Sequence, residues 1–218
     1  MNWHPLWLSL EVAVVATGVS LILGLFLAWL LVNRDFRGRE LLDALTTLPL
    51  ALPPTVLGYY LLITIGRNSW PGRLFESVTG GPLVFTVKAA VIAATIHAIP
   101  LVVKSSRAAL ETIDRACERA GRSLGATEWR VFFRISLPMA RRPIAAAAVL
   151  AFARALGDFG ATLMVAGDIP GRTQTAAIAI YDAVESGDST TAKWMVLAIS
   201  VLVASIVFAA NRLEHRRV

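Results

Sequence analysis

The sequence predicts an all-α membrane protein of five transmembrane helices, a single domain over residues 1–218, with the N-terminus outside and the C-terminus cytoplasmic. Three observations predict it. First, the 218 residues are 56% hydrophobic and 17% charged, with a mean hydropathy of +0.63. A soluble globular domain is about 45–50% apolar even with glycine counted, so a soluble enzyme is excluded. Second, the apolar residues are gathered into runs: 12–32, 44–66 and 194–211 are uncharged over 21, 23 and 18 residues. A bilayer core of about 30 Å needs about 20 helical residues at ~1.5 Å each. Third, the cations alternate between segments. Three lie in 33–43, nine in 104–142 and three (Arg212, Arg216, Arg217) after residue 210, against none before the first run, two in 66–82 and one in 167–190. Lysine and arginine collect on the cytoplasmic side of spans, which sets the orientation.

The spans follow in order. The first covers about 8–32. It is too long for a signal peptide, no Lys or Arg precedes it, and no small-residue cleavage site closes it. The second covers 44–65 and is interrupted by Pro49, Pro53 and Pro54. Proline frees backbone carbonyls, which neighbours or a wet cavity must then satisfy. The third, 83–103, carries Lys88 and His97; the fourth, 143–166, carries Arg154 and Asp158 near its middle; the fifth covers 191–210. Residues 175–184 are too short to span and read as a short external helix or a re-entrant piece. Trp3, Trp7 and Trp70 suit the outer interface. Lys88, Lys193 and Glu11 lie near span ends and snorkel.

The net charge of +6 and pI of about 10.2 express the same loop bias. No aromatic and basic residues interleave in the way that stacks bases, so no nucleic-acid partner is expected. The single cysteine, Cys117, excludes an intrachain disulfide. No P-loop, no HExxH and no Cys/His cluster is present, so the chain itself is expected to bind no ATP and no metal. Asp158-Phe159-Gly160 spells a kinase motif without its companions, and Gly121 with Gly125 lies in a basic loop rather than on a membrane dimer face.

The segment 104–142 is long, basic and amphipathic. Two short helices are expected, weakened at Gly121 and Gly125. Trp129, Phe132 and Phe133 share a face by their spacing, with Arg122, Arg130 and Arg134 elsewhere. Such a helix suits a partner groove, with apolar anchors and a charged rim; a membrane-surface helix is the alternative.

This loop resembles that of the permease subunits of binding-protein-dependent ABC importers, which reads Glu-Ala-Ala, three residues, Gly, nine residues, Ile-x-Leu-Pro. Gly125, Ile135, Leu137 and Pro138 stand at the matching spacing. The Glu position falls on Arg119, with Glu118 one residue earlier, and the second Ala is Gly121. The resemblance implies a coupling helix near Gly125, over 122–133, that docks on an ATPase subunit. Its expected contacts are Glu118, Ala120, Gly121, Arg122, Ser123, Leu124, Gly125, Ala126, Trp129, Phe132 and Phe133, with Ile135, Leu137 and Pro138 as the loop signature.

Four further segments, 48–60 (LPLALPPTVLGYY), 154–162 (RALGDFGAT), 169–175 (IPGRTQT) and 180–188 (IYDAVESGD), resemble the molybdate branch of that family, with Asp158 where Glu is usual. This likeness covers nearly the whole chain. It implies the membrane subunit of a molybdate importer, with tungstate as a further cargo, in a bacterial inner membrane. A homodimer with the path on its two-fold axis, two ATP-binding subunits that use ATP and magnesium, and an outer molybdate-binding protein are implied with it. A sulfate or thiosulfate permease of the same architecture is the alternative. An ion-gradient transporter is expected to carry its own coupling-ion site, often with inverted repeats, and neither is visible.

Arg154 and Asp158 are the costly residues, since an ionised group at the bilayer centre is unfavourable by a few kcal/mol. Their four-residue spacing puts them on one face of a continuous helix. They read either as an internal ion pair that locks the bundle or as the lining or gate of a path, where the arginine favours an oxyanion. Thr55 and Thr162 either offer hydroxyls to that oxyanion or bond back to their own helix carbonyls. His97, close to Pro100, reads as a packed or interfacial histidine rather than a proton relay.

Overall fold

The computed structural model describes residues 3–215. They form α1 (His4–Asn33), α2 (Arg39–Ala51), α3 (Pro54–Ile65), α4 (Trp70–Thr79), α5 (Val87–Glu111), α6 (Arg115–Ser123) and α7 (Glu128–Val131), then a π-helical turn (Phe132–Ser136), α8 (Leu137–Leu156), α9 (Gly160–Ala166), α10 (Ala176–Glu185) and α11 (Ser189–His215). No strand occurs among the described residues. Among the described residues four helical runs are long and apolar enough to cross a membrane: His4–Asn33, Val87–Glu111, Glu128–Leu156 and Ser189–Phe208. The pair α2 and α3 makes a fifth only if taken as one broken span.

Three of the expected spans need correction. The second, expected over 44–65, bends by 117° between α2 and α3. Pro54 offers no N–H and its fixed φ suits the first turn of a new helix, so the chain stops at Leu52 and restarts beyond Pro53. The third begins at Val87 rather than 83, where the Thr86 hydroxyl accepts from the Ala89 N–H at 3.4 Å. It continues eight residues past 103 into the segment read as loop, because Lys104 and Arg107 are good helix formers. The fourth is displaced toward the N-terminus and is not continuous: α8 stops at Leu156, three residues are non-helical, and α9 begins at Gly160. The connecting segment between long helices is therefore 112–127, shorter than the expected 104–142. The fifth span is a single helix, started where the Asp188 carboxylate accepts from the Thr191 N–H at 3.1 Å. Arg216 and Arg217 lie outside the described residues.

Outside the long helices, the expected short helix over 175–184 is α10, Ala176–Glu185. It is tied to the bundle where its Ala176 N–H donates to the Ser9 hydroxyl at 2.8 Å. The 66–82 segment holds α4, which begins where the Gly72 N–H donates to Ser69 at 3.0 Å and ends at Gly80 with φ +75°.

The core is a group of three mutually packed helices, α1 against α5, α5 against α8 and, less extensively, α1 against α8. Each supplies a stripe of small residues at four-residue spacing. On α1 the buried stripe is Leu8, Val12, Ala16, Ser20, Gly24 and Ala28. On α5 it is Ala90, Ala94, Ala98, Val102, Ser106 and Leu110. Ala147, Ala151 and Ala155 continue the pattern on α8. Small side chains let backbones approach closely, which is how helices associate where lipid removes the hydrophobic driving force between them. At Gly24 the approach is closest: a Cβ there would stand 2.6 Å from Val102 Cγ1. The outlying α11 packs mainly on α10 and α8, and its apolar stretch is only 11% buried.

Candidate functional site

Two places gather the candidate residues. The first is the break between α8 and α9. Asp158 sits in it, 3% exposed, and both carboxylate oxygens are occupied. Oδ1 lies 2.6 Å from Nδ1 of His97 on α5, a contact made by the Nδ1–H form of the ring. Oδ2 accepts from the Thr162 N–H at 3.1 Å and from the Thr162 hydroxyl at 2.5 Å. The carboxylate therefore caps the first turn of α9 while fastening it to α5, which is how a buried acid is accommodated away from water.

Arg154 closes the last turn of α8 rather than sharing a continuous helix with Asp158. Its Nη1 stands 3.7 Å from Asp158 Oδ1. That is an ion pair by distance and too long for a hydrogen bond. The side chain is 30% exposed, and among the described residues it makes no hydrogen bond. The expected Arg154–Asp158 ion pair is present at 3.7 Å, but the hydrogen-bonded partner of the acid is His97, buried to 1% exposure. Thr162 follows neither expected course, since its hydroxyl proton goes to Asp158 rather than to a helix carbonyl or an open path.

The break in the second span meets the break in the fourth. A Cβ on Gly160 would stand 3.0 Å from Pro54 Cβ and 3.4 Å from the Thr55 nitrogen. A Cβ on Gly58 would stand 2.9 Å from Ala161 Cα. Glycine at both positions is what allows α3 and α9 to touch. Thr55 is exposed at the start of α3, next to this junction.

The second place is the turn from α6 into α8. Glu118 Oε1 accepts from the Ser136 hydroxyl at 2.6 Å. Arg122 donates twice to Glu128, through Nε at 2.8 Å and Nη2 at 3.2 Å, and stands 3.5 Å from Glu118. A Cβ on Gly121 would lie 2.7 Å from Ile135 Cδ1, so α6 rests directly on the π-helical turn. Gly125 has φ +81°, the left-handed region, and a Cβ there would meet nothing within 4 Å. Ala120, Arg122, Ser123, Leu124 and Gly125 are exposed and Ala126 is half-buried. Leu137 and Pro138 open α8, the former packed on the core and the latter exposed.

The three aromatics lie together, as their spacing predicts, and cluster around Trp29 with unequal burial. Phe132 is 6% exposed and packs against Trp29 at the end of α1. Trp129 stacks on Trp29 with centroids 4.7 Å apart and planes 21° apart, while keeping its outer face in solvent. Phe133 remains exposed beside both. Sequence reasoning missed Trp29, Ser136 and Glu128 as parts of this element. For Trp29 a signal is present, an aromatic shortly before Arg34 at the cationic end of the first span. Among the described residues no group of three or more His, Cys, Asp or Glu is placed to hold a metal.

Residues 20–217 match the family model described as "Binding-protein-dependent transport system inner membrane component". The chain is 42% identical over 210 residues to the molybdenum transport system permease protein ModB of Escherichia coli, covering 95% of this chain and 92% of that protein. Its fold is similar to that of the inward-facing MetNI methionine ABC transporter, with a TM-score of 0.73 at 20% identity, over 96% of this chain and 92% of that one. It is also similar to that of a bacterial alginate ABC transporter in complex with an alginate-bound periplasmic protein, with a TM-score of 0.77 at 15% identity, over 98% and 78% of the two chains.

The aromatic stack predicts that Trp29→Ala loosens the α6–α7 element, removing a pair contribution of about 0.5–1.5 kcal/mol beyond area burial. Limited proteolysis within 112–127 is expected to accelerate and the tryptophan emission to shift to the red. Unchanged cleavage and emission would show that Trp29 does not hold the element.

Proposed function

The chain belongs to the binding-protein-dependent transport system inner membrane component family, and we propose that it imports molybdate, with tungstate as a further cargo, as the membrane subunit of an ATP-driven transporter. It is a multi-pass inner-membrane permease and performs no covalent chemistry; ATP hydrolysis resides in a separate subunit. The near full-length likeness to a molybdenum permease carries the cargo assignment. A sulfate permease of the same architecture remains the second reading, which the external segment 169–188 does not favour.

In this reading two copies enclose a path on their shared axis, since one copy leaves α11 and much of α3 uncovered. The N-terminus is outside and the C-terminus cytoplasmic. A binding protein delivers the anion to the outer face. Two ATPase subunits dock on the exposed residues of the α6–α7 element, above all Leu124, Trp129 and Phe133. Glu118, Arg122 and Gly121 act from behind, holding that surface rigid against α8. Closure of the ATPase pair moves the two elements together and opens the permease outward. High affinity belongs to the binding protein. Arg154 offers a weak transit contact, its attraction for an anion offset by the carboxylate of Asp158 behind it.

Cells lacking this chain are expected to lose labelled molybdate uptake, with wild-type uptake blocked by excess tungstate and indifferent to sulfate. Retained molybdate uptake together with lost sulfate uptake would move the cargo to the second reading. Gly125→Asp has room for its side chain and strains the backbone by only about 1–2 kcal/mol, so the variant is expected to insert normally. It should nonetheless fail to co-purify with the ATPase; wild-type co-purification would remove Gly125 from the docking surface.

A further inference from the structure

We propose that His97 is a positioning residue that keeps the Arg154 guanidinium open to an oxyanion in transit. This rests on the oxyanion-import reading above. An arginine beside a buried carboxylate frequently closes on it with two short parallel hydrogen bonds. Here it does not. The His97 ring occupies Oδ1 at 2.6 Å, and Thr162 occupies Oδ2 with both its N–H and its hydroxyl. Arg154 is left at 3.7 Å, part-exposed, with its donors unused among the described residues.

An unused guanidinium within a spanning segment is unfavourable unless it faces water or a ligand. Its planar fork of donors suits a tetrahedral oxyanion. The contact it offers is also weak by construction, because the negative carboxylate stands directly behind it. His97 contributes without touching the cargo: it competes with Arg154 for one oxygen of Asp158. Removing the imidazole vacates that oxygen, and the guanidinium moves the remaining distance onto the acid and is lost to the anion.

The test uses proteoliposomes holding this chain with its ATPase and binding protein, and reads the rate of labelled molybdate uptake. His97→Ala is expected to slow uptake about tenfold, as Arg154→Ala does, with assembly unchanged. His97→Gln retains an N–H donor and should keep at least about half the rate. The decisive variant is His97→Ala/Asp158→Asn, in which a neutral amide no longer captures Arg154. Its rate should rise above that of His97→Ala to match that of Asp158→Asn alone, a coupling that a double-mutant cycle isolates.

A double variant as slow as His97→Ala, or slower, overturns the proposal, since it marks a merely structural role. A normal rate in His97→Ala overturns it too. If His97→Ala does not assemble, Asp158→Asn alone decides: a lowered KM with a lowered kcat supports the release of Arg154 to the anion, and an unchanged KM contradicts it. Wild-type vesicles that carry neither molybdate nor sulfate end the import reading and this inference together. Wild-type uptake without rescue ends the role of His97 alone.

Discussion

The buried carboxylate of Asp158 is the constraint on which the interior depends. An ionised acid away from water is tolerated only when its lone pairs are filled. Here three donors fill them, from two different elements. Meeting that requirement ends α8, starts α9, fastens both to α5 and sets the distance at which Arg154 stands. A polar residue that reads in sequence as a cost is in the fold the fastening point of the bundle's second half.

The same logic of close approach recurs where no charge is involved. Gly24 against Val102, Gly58 against Ala161 and Gly160 against Pro54 each place backbone where a Cβ could not fit without displacement. In lipid such contacts supply the packing that apolar burial supplies in water. They also join the two interrupted helices, so that the proline break of the second span and the glycine break of the fourth form one junction. Two breaks meeting in a bundle are a natural place for movement, because neither segment is stiffened by a continuous hydrogen-bond ladder.

The all-α class and the number of apolar runs are legible from hydropathy, and the α6–α8 turn from its glycine, Ile135, Leu137 and Pro138 spacing. The π-helical turn is not legible, because periodicity presumes 3.6 residues per turn; nor is the packing of Phe132 on Trp29, a contact between segments far apart in the chain. Hydropathy misplaces the fourth span because 157–166 is as apolar as the helix before it; only the buried needs of Asp158 reveal the interruption. For the same reason a four-residue spacing puts Arg154 and Asp158 on one helix that the fold divides. His97 reads correctly as packed, but 61 residues separate it from its partner, and no local pattern reports a contact between spans. In the turn from α6 into α8, Glu118 and Arg122 read in sequence as expected docking contacts. Their bonds to Ser136 and Glu128 tie α6 to α7 and to the π-helical turn, with Trp29 stacked on Trp129 beside them.

In the proposed arrangement, Asp158 is held by His97 and Thr162 so that Arg154 stays available to an anion. Tungstate is a heavy anomalous scatterer of the same tetrahedral shape, so diffraction from the assembled transporter with tungstate present tests it most directly. The expected result is an anomalous peak within hydrogen-bonding distance of the Arg154 guanidinium, with the His97–Asp158 contact intact. A guanidinium closed in two short bonds on Asp158, with the anion bound elsewhere along the path, would contradict it.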